Sequence, residues 1–75
     1  MKKHLLPIIV EKDEDGYYVV ECPLFQSCYS QGKTMDEAVK NIKDVIALCL
    51  EEKQNIKLLK NYNPQEVSFL TLSYA

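Results

Sequence analysis

At 75 residues the chain has room for one small domain, which buries only about 60–65% of its unfolded surface and usually leans on disulfides, metal or self-association. With 47% hydrophobic residues and no low-complexity run it is a folding sequence, while a net charge of −2 and the lack of any arginine argue against a dedicated nucleic-acid reader. No apolar run approaches the roughly 20 residues that cross a bilayer. Cys22, Cys28 and Cys49 form no CxxC pair and follow no signal peptide, so they read as reduced thiols of a cytoplasmic protein.

Leu5 to Lys12 is rich in Ile and Val and predicts a first strand. Pro7 cannot donate to a ladder, so the strand begins in earnest at Ile8 or carries a bulge. Asp13-Glu14-Asp15-Gly16 is the turn that follows, with the glycine supplying a positive φ and the short acids bonding local backbone. Tyr17 to Glu21 returns antiparallel and Pro23 ends it. Cys28 to Gln31 is a shorter third strand.

Thr34 and Glu37 stand three apart, as the N-cap and third residue of a capping box, and Asp36 and Glu37 suit the positive end of a helix dipole. Met35, Ala38, Val39, Ile42, Val45, Ile46, Cys49 and Leu50 recur at three- and four-residue steps, giving a helix with one apolar face. Gln54 to Lys57 reads as its frayed end and Asn61 to Pro64 as a loop. Glu66 to Ser73 predicts a last strand of uncertain register, since Val67/Phe69 and Leu70/Leu72 lie on opposite faces. A right-handed crossover then places that strand beside the first and parallel to it. The expected fold is α+β, a βββαβ domain with a mixed four-stranded sheet in the order 3-2-1-4 and one packed helix.

The order of these pieces resembles the HicB-like antitoxin family over more than half of the chain. Asp13-Glu14-Asp15-Gly16-Tyr17-Tyr18 follows its D-x-D-G-x-Y turn, and Ser30-Gln31-Gly32-Lys33-Thr34 follows S-x-G-D-T. Glu37-Ala38-Val39-Lys40-Asn41 follows the helix opening E-A-x-x-N. The chain departs from the family at P-D-L-P-G-C, where it reads Pro23-Leu24-Phe25-Gln26-Ser27-Cys28, and at Lys33, which stands for aspartate. The resemblance implies a degenerate RNase-H-like core. It also implies a function: neutralising a small, basic toxin of the HicA type that cleaves messenger RNA. Many members carry a DNA-binding module after the core. This chain ends just past the last expected strand, so residues 1–75 are read as the core domain alone, without direct DNA binding.

Five acids, Glu11, Asp13, Glu14, Asp15 and Glu21, fall in one eleven-residue window beside a single base, Lys12. An acidic surface complements a basic partner and speeds encounter, so these five, with Phe25 as an exposed aromatic, are the expected toxin contacts. A charged turn is also an ordinary solvated loop. An RNase-H-type nuclease needs carboxylates converging on two Mg²⁺ about 4 Å apart, whereas these acids gather in a turn, so no catalytic residue, metal or cofactor is expected. Asp13-x-Asp15-Gly16 lacks the closing glutamate of a calcium loop. Cys28 has no histidine beside it in sequence. Tyr17, Tyr18 and Tyr29, without arginine, suit packing against a protein better than stacking on bases. A sheet this small needs its edges covered, so a homodimer or higher oligomer is expected. The alternatives are a residual metal-dependent nuclease and an orphan protein-binding module.

Overall fold

A computed structural model describes residues 4–74. Its first unit is a hairpin of β1 (Ile9–Lys12) and β2 (Tyr18–Glu21), folded around Asp13. One Asp13 carboxylate oxygen, Oδ1, accepts from the backbone N–H of Asp15 at 3.0 Å and of Tyr17 at 2.9 Å. The Asp13 carbonyl accepts from the Gly16 N–H at 3.1 Å, and Gly16 sits at φ 88°. An aspartate is short enough to bridge its own turn in this way, and glycine adopts that φ at little cost.

The chain then makes a tight loop, closed by Cys22 N–H donating to the Cys28 carbonyl at 2.8 Å, and enters β3 (Tyr29–Gly32). The sheet is wholly antiparallel in the order β1-β2-β3. Ile9 pairs with Glu21 and Glu21 with Tyr29; Val10 pairs with Val20 and Val20 with Ser30. Because strand side chains alternate, Val10, Val20 and Ser30 share one face.

Helix α1 (Met35–Cys49) covers that face. Thr34 Oγ1 accepts from the Glu37 N–H at 3.1 Å, and Glu37 Oε1 accepts from the Lys33 N–H at 3.3 Å. The first turn rides so close to β3 that a Cβ on Gly32 would lie 2.5 Å from the Ala38 nitrogen. Asn41 Nδ2 donates to the Gln31 carbonyl at 2.8 Å, tying the helix to the strand. Val20, Cys22, Phe25, Cys28, Ala38 and Ile42 form the core between sheet and helix.

Three expectations are corrected here. The frayed helix end is instead a separate helix, α2 (Lys53–Asn61), so the described residues form two helices, not one. Buried Asn55 explains the break: its Nδ2 donates to the Cys49 carbonyl at 2.7 Å, satisfying the end of α1 from the first turn of α2. The fourth strand is not formed. Among the described residues the sheet has three strands, and neither βββαβ nor the order 3-2-1-4 is seen. Residues 62–74 are irregular, with Phe69 to Leu72 facing Ile8 to Glu11 across a groove of about 640 Å³. The RNase-H-like assignment turns on that strand, and the three-stranded sheet does not carry it. Finally, β1 starts at Ile9, one residue past the Ile8 start that Pro7 suggests, with Pro7 buried ahead of it and no strand at Leu5.

Candidate partner-binding surface

The face of the sheet turned away from α1 is built from the other parity of each strand. The pairing register lays it out in two rows, Ile9–Glu21–Tyr29 and Glu11–Val19–Gln31. Ile9 and Val19 are half-buried, whereas Glu11, Glu21 and Gln31 are exposed and Tyr29 is 64% exposed. Two glutamates therefore stand diagonally on a patch with aliphatic and aromatic neighbours. Among the described residues no helix covers this face.

Lys12, the lone base of the acidic window, points to the other side. Its Nζ lies 5.5 Å from the centre of the Tyr18 ring, within the range of a cation–π contact. It therefore leaves the Glu11 and Glu21 side unneutralised. Beyond the strands, Glu14 and Asp15 project from the exposed turn, whereas Asp13 turns its carboxylate inward to hold that turn together.

The structure thus brings Glu11 and Glu21 onto one face, with Glu14 and Asp15 at its end, and gives Asp13 a structural task. It moves Phe25 out of the set. Phe25 is only 3% exposed, and its N–H donates to the Cys22 carbonyl at 3.3 Å, so the expected exposed aromatic is a core residue. Further along the same loop, Ser27 holds a left-handed φ of 59°. Ile9 and Val19 are the members of the face that the sequence does not single out, whereas Tyr29 is among the tyrosines expected to pack against a protein. Hairpin parity counted outward from the Asp13–Gly16 turn would have found Ile9 and Val19.

The buried thiols have a different character. Burial pushes Cys28 up to about 12, with the adjacent Cys49 adding to the shift, and burial raises Cys22 as well. Both are held as neutral thiols near pH 7 and behave as small apolar side chains. Among the described residues no three His, Cys, Asp or Glu side chains are arranged to hold a metal ion, and no helix is long and apolar enough to cross a membrane.

Comparison with known proteins gives a consistent set of relatives. Residues 6–70 match the family described as the HicB-like antitoxin of bacterial toxin-antitoxin system. A UPF0150 protein of Synechocystis is 52% identical over 52 residues, covering 69% of this chain and 75% of the relative. Another from Archaeoglobus fulgidus is 48% identical over 50 residues, 67% of this chain and 72% of its own length. A third, from Thermoplasma acidophilum, is 44% identical over 63 residues, 81% of this chain and 90% of the relative. No solved structure matches the chain at a significant level.

Proposed function

The chain belongs to the HicB-like antitoxin family, and from that premise we propose that it is a non-catalytic antitoxin that occludes a small, basic, mRNA-cleaving toxin of the HicA type. The observation that carries this reading is the uncovered sheet face with Glu11 and Glu21 exposed on it, extended by Glu14 and Asp15 and turned away from Lys12. A ribonuclease binds polyanionic substrate with positive charge. Carboxylates on a firm β-surface compete for that charge, and Tyr29, Val19 and Ile9 supply apolar contact between them. Charge steers the encounter and contact holds it.

The test is calorimetric titration of a small basic toxin of the HicA type with wild type and with the double variant Glu11→Lys, Glu21→Lys. Both side chains are exposed, so the fold tolerates the change. The expected result is a loss of affinity of about hundredfold or more, with a flatter dependence on salt. Unchanged affinity and salt dependence would remove the face from the mechanism. Failure of wild type to bind or inhibit that protein would overturn the antitoxin reading itself.

A further inference from the structure

The other incomplete surface is the free edge of β1. Ile9–Lys12 pairs with β2 on one side only, and among the described residues no strand pairs with its other side. Alongside runs an extended segment with the composition of a strand, Val67-Ser68-Phe69-Leu70-Thr71-Leu72-Ser73-Tyr74, which carries no charge. Leu70, Leu72 and Tyr74 recur at every second position and are 94%, 85% and 92% exposed. An uncharged apolar stripe beside an unprotected edge is a surface that soluble proteins otherwise guard with lysine, proline or a covering element.

The geometry also says how it would be covered. Tyr62 to Pro64 lie against His4 and Leu5, and Phe69 to Leu72 lie against Ile8 to Glu11, so the segment runs in the same sense as β1. It stands off from β1 across the groove of about 640 Å³. We propose that this groove receives the same segment of a second copy of this chain, in a symmetric homodimer built by mutual exchange. A two-fold axis normal to the sheet makes the two segments antiparallel to each other. Each incoming segment then also runs antiparallel to the β1 it meets, the geometry with the better hydrogen bonds. The order across the dimer becomes β3-β2-β1, two exchanged segments, β1-β2-β3, one continuous sheet whose inner edges are all paired.

Area supports this occupant. Leu70, Leu72 and Tyr74, which share one face, offer on the order of 400 Å² per copy, or roughly 800 Å² for two, to be covered by their cross-strand neighbours. With both β1 edges added, the contact reaches the ~1,200 Å² at which specific interfaces begin. A basic toxin is the poorer fit, because residues 67–74 give it no charge to recognise.

The decisive experiment is light scattering with size-exclusion chromatography on the full chain at about 100 µM, where even a micromolar dimer is mostly associated. Wild type is compared with Leu70→Lys, Leu72→Lys, whose side chains are too exposed to matter for folding of the single chain. The expected result is twice the chain mass for wild type and a monomer for the variant, with unchanged far-UV circular dichroism. Isotope-filtered NMR on mixed labelled and unlabelled wild type should show contacts from Phe69–Leu72 of one copy to Ile8–Glu11 of the other. A monomeric wild type, a dimer indifferent to both lysines, or intermolecular contacts elsewhere would each overturn the proposal. A monomer that binds a basic ribonuclease through Leu70 and Leu72 would do so too, and would give this edge to that partner.

Discussion

Gly32→Ala isolates the contact that seats α1 on the sheet. The added Cβ would stand 2.5 Å from the Ala38 nitrogen and 3.0 Å from both Ala38 Cα and the Glu37 carbonyl carbon. All three are backbone atoms, so no side chain can swing aside. Restoring ordinary contact at 3.4 Å requires the first turn to retreat by about 0.9 Å. That motion loosens Ala38 and Ile42 against Val20 and Cys22, and it stretches the 2.8 Å bond from Asn41 to the Gln31 carbonyl. Overpacking of this kind costs about 1–3 kcal/mol, and a lost hydrogen bond adds about 1 kcal/mol. Alanine returns roughly 0.4–1 kcal/mol by restricting the unfolded chain. The net expectation is a destabilisation of about 2 kcal/mol, a large share of the ~4–11 kcal/mol available to a domain this size. Urea unfolding followed by circular dichroism, at one fixed protein concentration, measures it directly. In a thermal scan the same loss should appear as a fall of about 8–16 °C in Tm. A midpoint within error of wild type, at unchanged slope, would refute the claim that Gly32 is required by the approach of the helix.

Two further outcomes are expected. Ser27 holds a φ of 59° where the resembled family has glycine, so Ser27→Gly should remove about 1–2 kcal/mol of left-handed strain against a glycine entropy cost of about 0.5–1 kcal/mol. The variant should therefore melt a few degrees higher, and a lower Tm would contradict the account of that loop. Cys28 is pushed from 9.0 to about 12, so between those values the unfolded chain releases the thiol proton while the folded chain keeps it. Its contribution to stability is thus complete below about pH 9 and declines as pH rises toward 12. Urea midpoints at pH 7, 9 and 10 should fall, and Cys28→Ala should fall less steeply over the same range; parallel declines would assign the effect to other groups.

What could be read from the sequence was whatever is decided locally. The Asp13–Gly16 turn, the Thr34–Glu37 cap and the apolar period of α1 depend on residues within four positions of one another, and all are present, except that Met35 at the start of the apolar face is 50% exposed. Both acids of the exposed face stand out in the sequence, because charge density needs no tertiary information. The failures have tertiary causes. α2 was hidden because its start is fixed by Asn55 reaching back six positions to the Cys49 carbonyl, and an asparagine gives no helix signal of its own. The burial of Phe25 is not legible because it depends on how the 22–28 loop folds back, with the Phe25 N–H on the Cys22 carbonyl and the Cys22 N–H on the Cys28 carbonyl. The last strand was over-read for a third reason. Val67 to Leu72 has strand composition, but a strand exists only with a partner for its ladder, and its own β1 stands across a groove.

That third failure ties the two proposed surfaces together, because Glu11 belongs to both: it lines the groove at the β1 edge and stands exposed beside Val19 on the open face. In the exchanged dimer the axis is normal to the sheet, so both open faces look the same way. Two intervening segments hold the two β1 strands roughly 14 Å apart, three strand spacings. The four glutamates then lie on one broad acidic surface. The two acidic turns lie at opposite ends of it, because the two β1 strands run antiparallel. Separation beyond the ~8 Å screening length at physiological salt keeps their mutual repulsion small, while an approaching polycation meets both fields in turn. Apolar exchange at contact range and acidic steering at longer range therefore do not compete. Added salt should weaken toxin capture and leave the dimer intact, so the two proposals can fail separately.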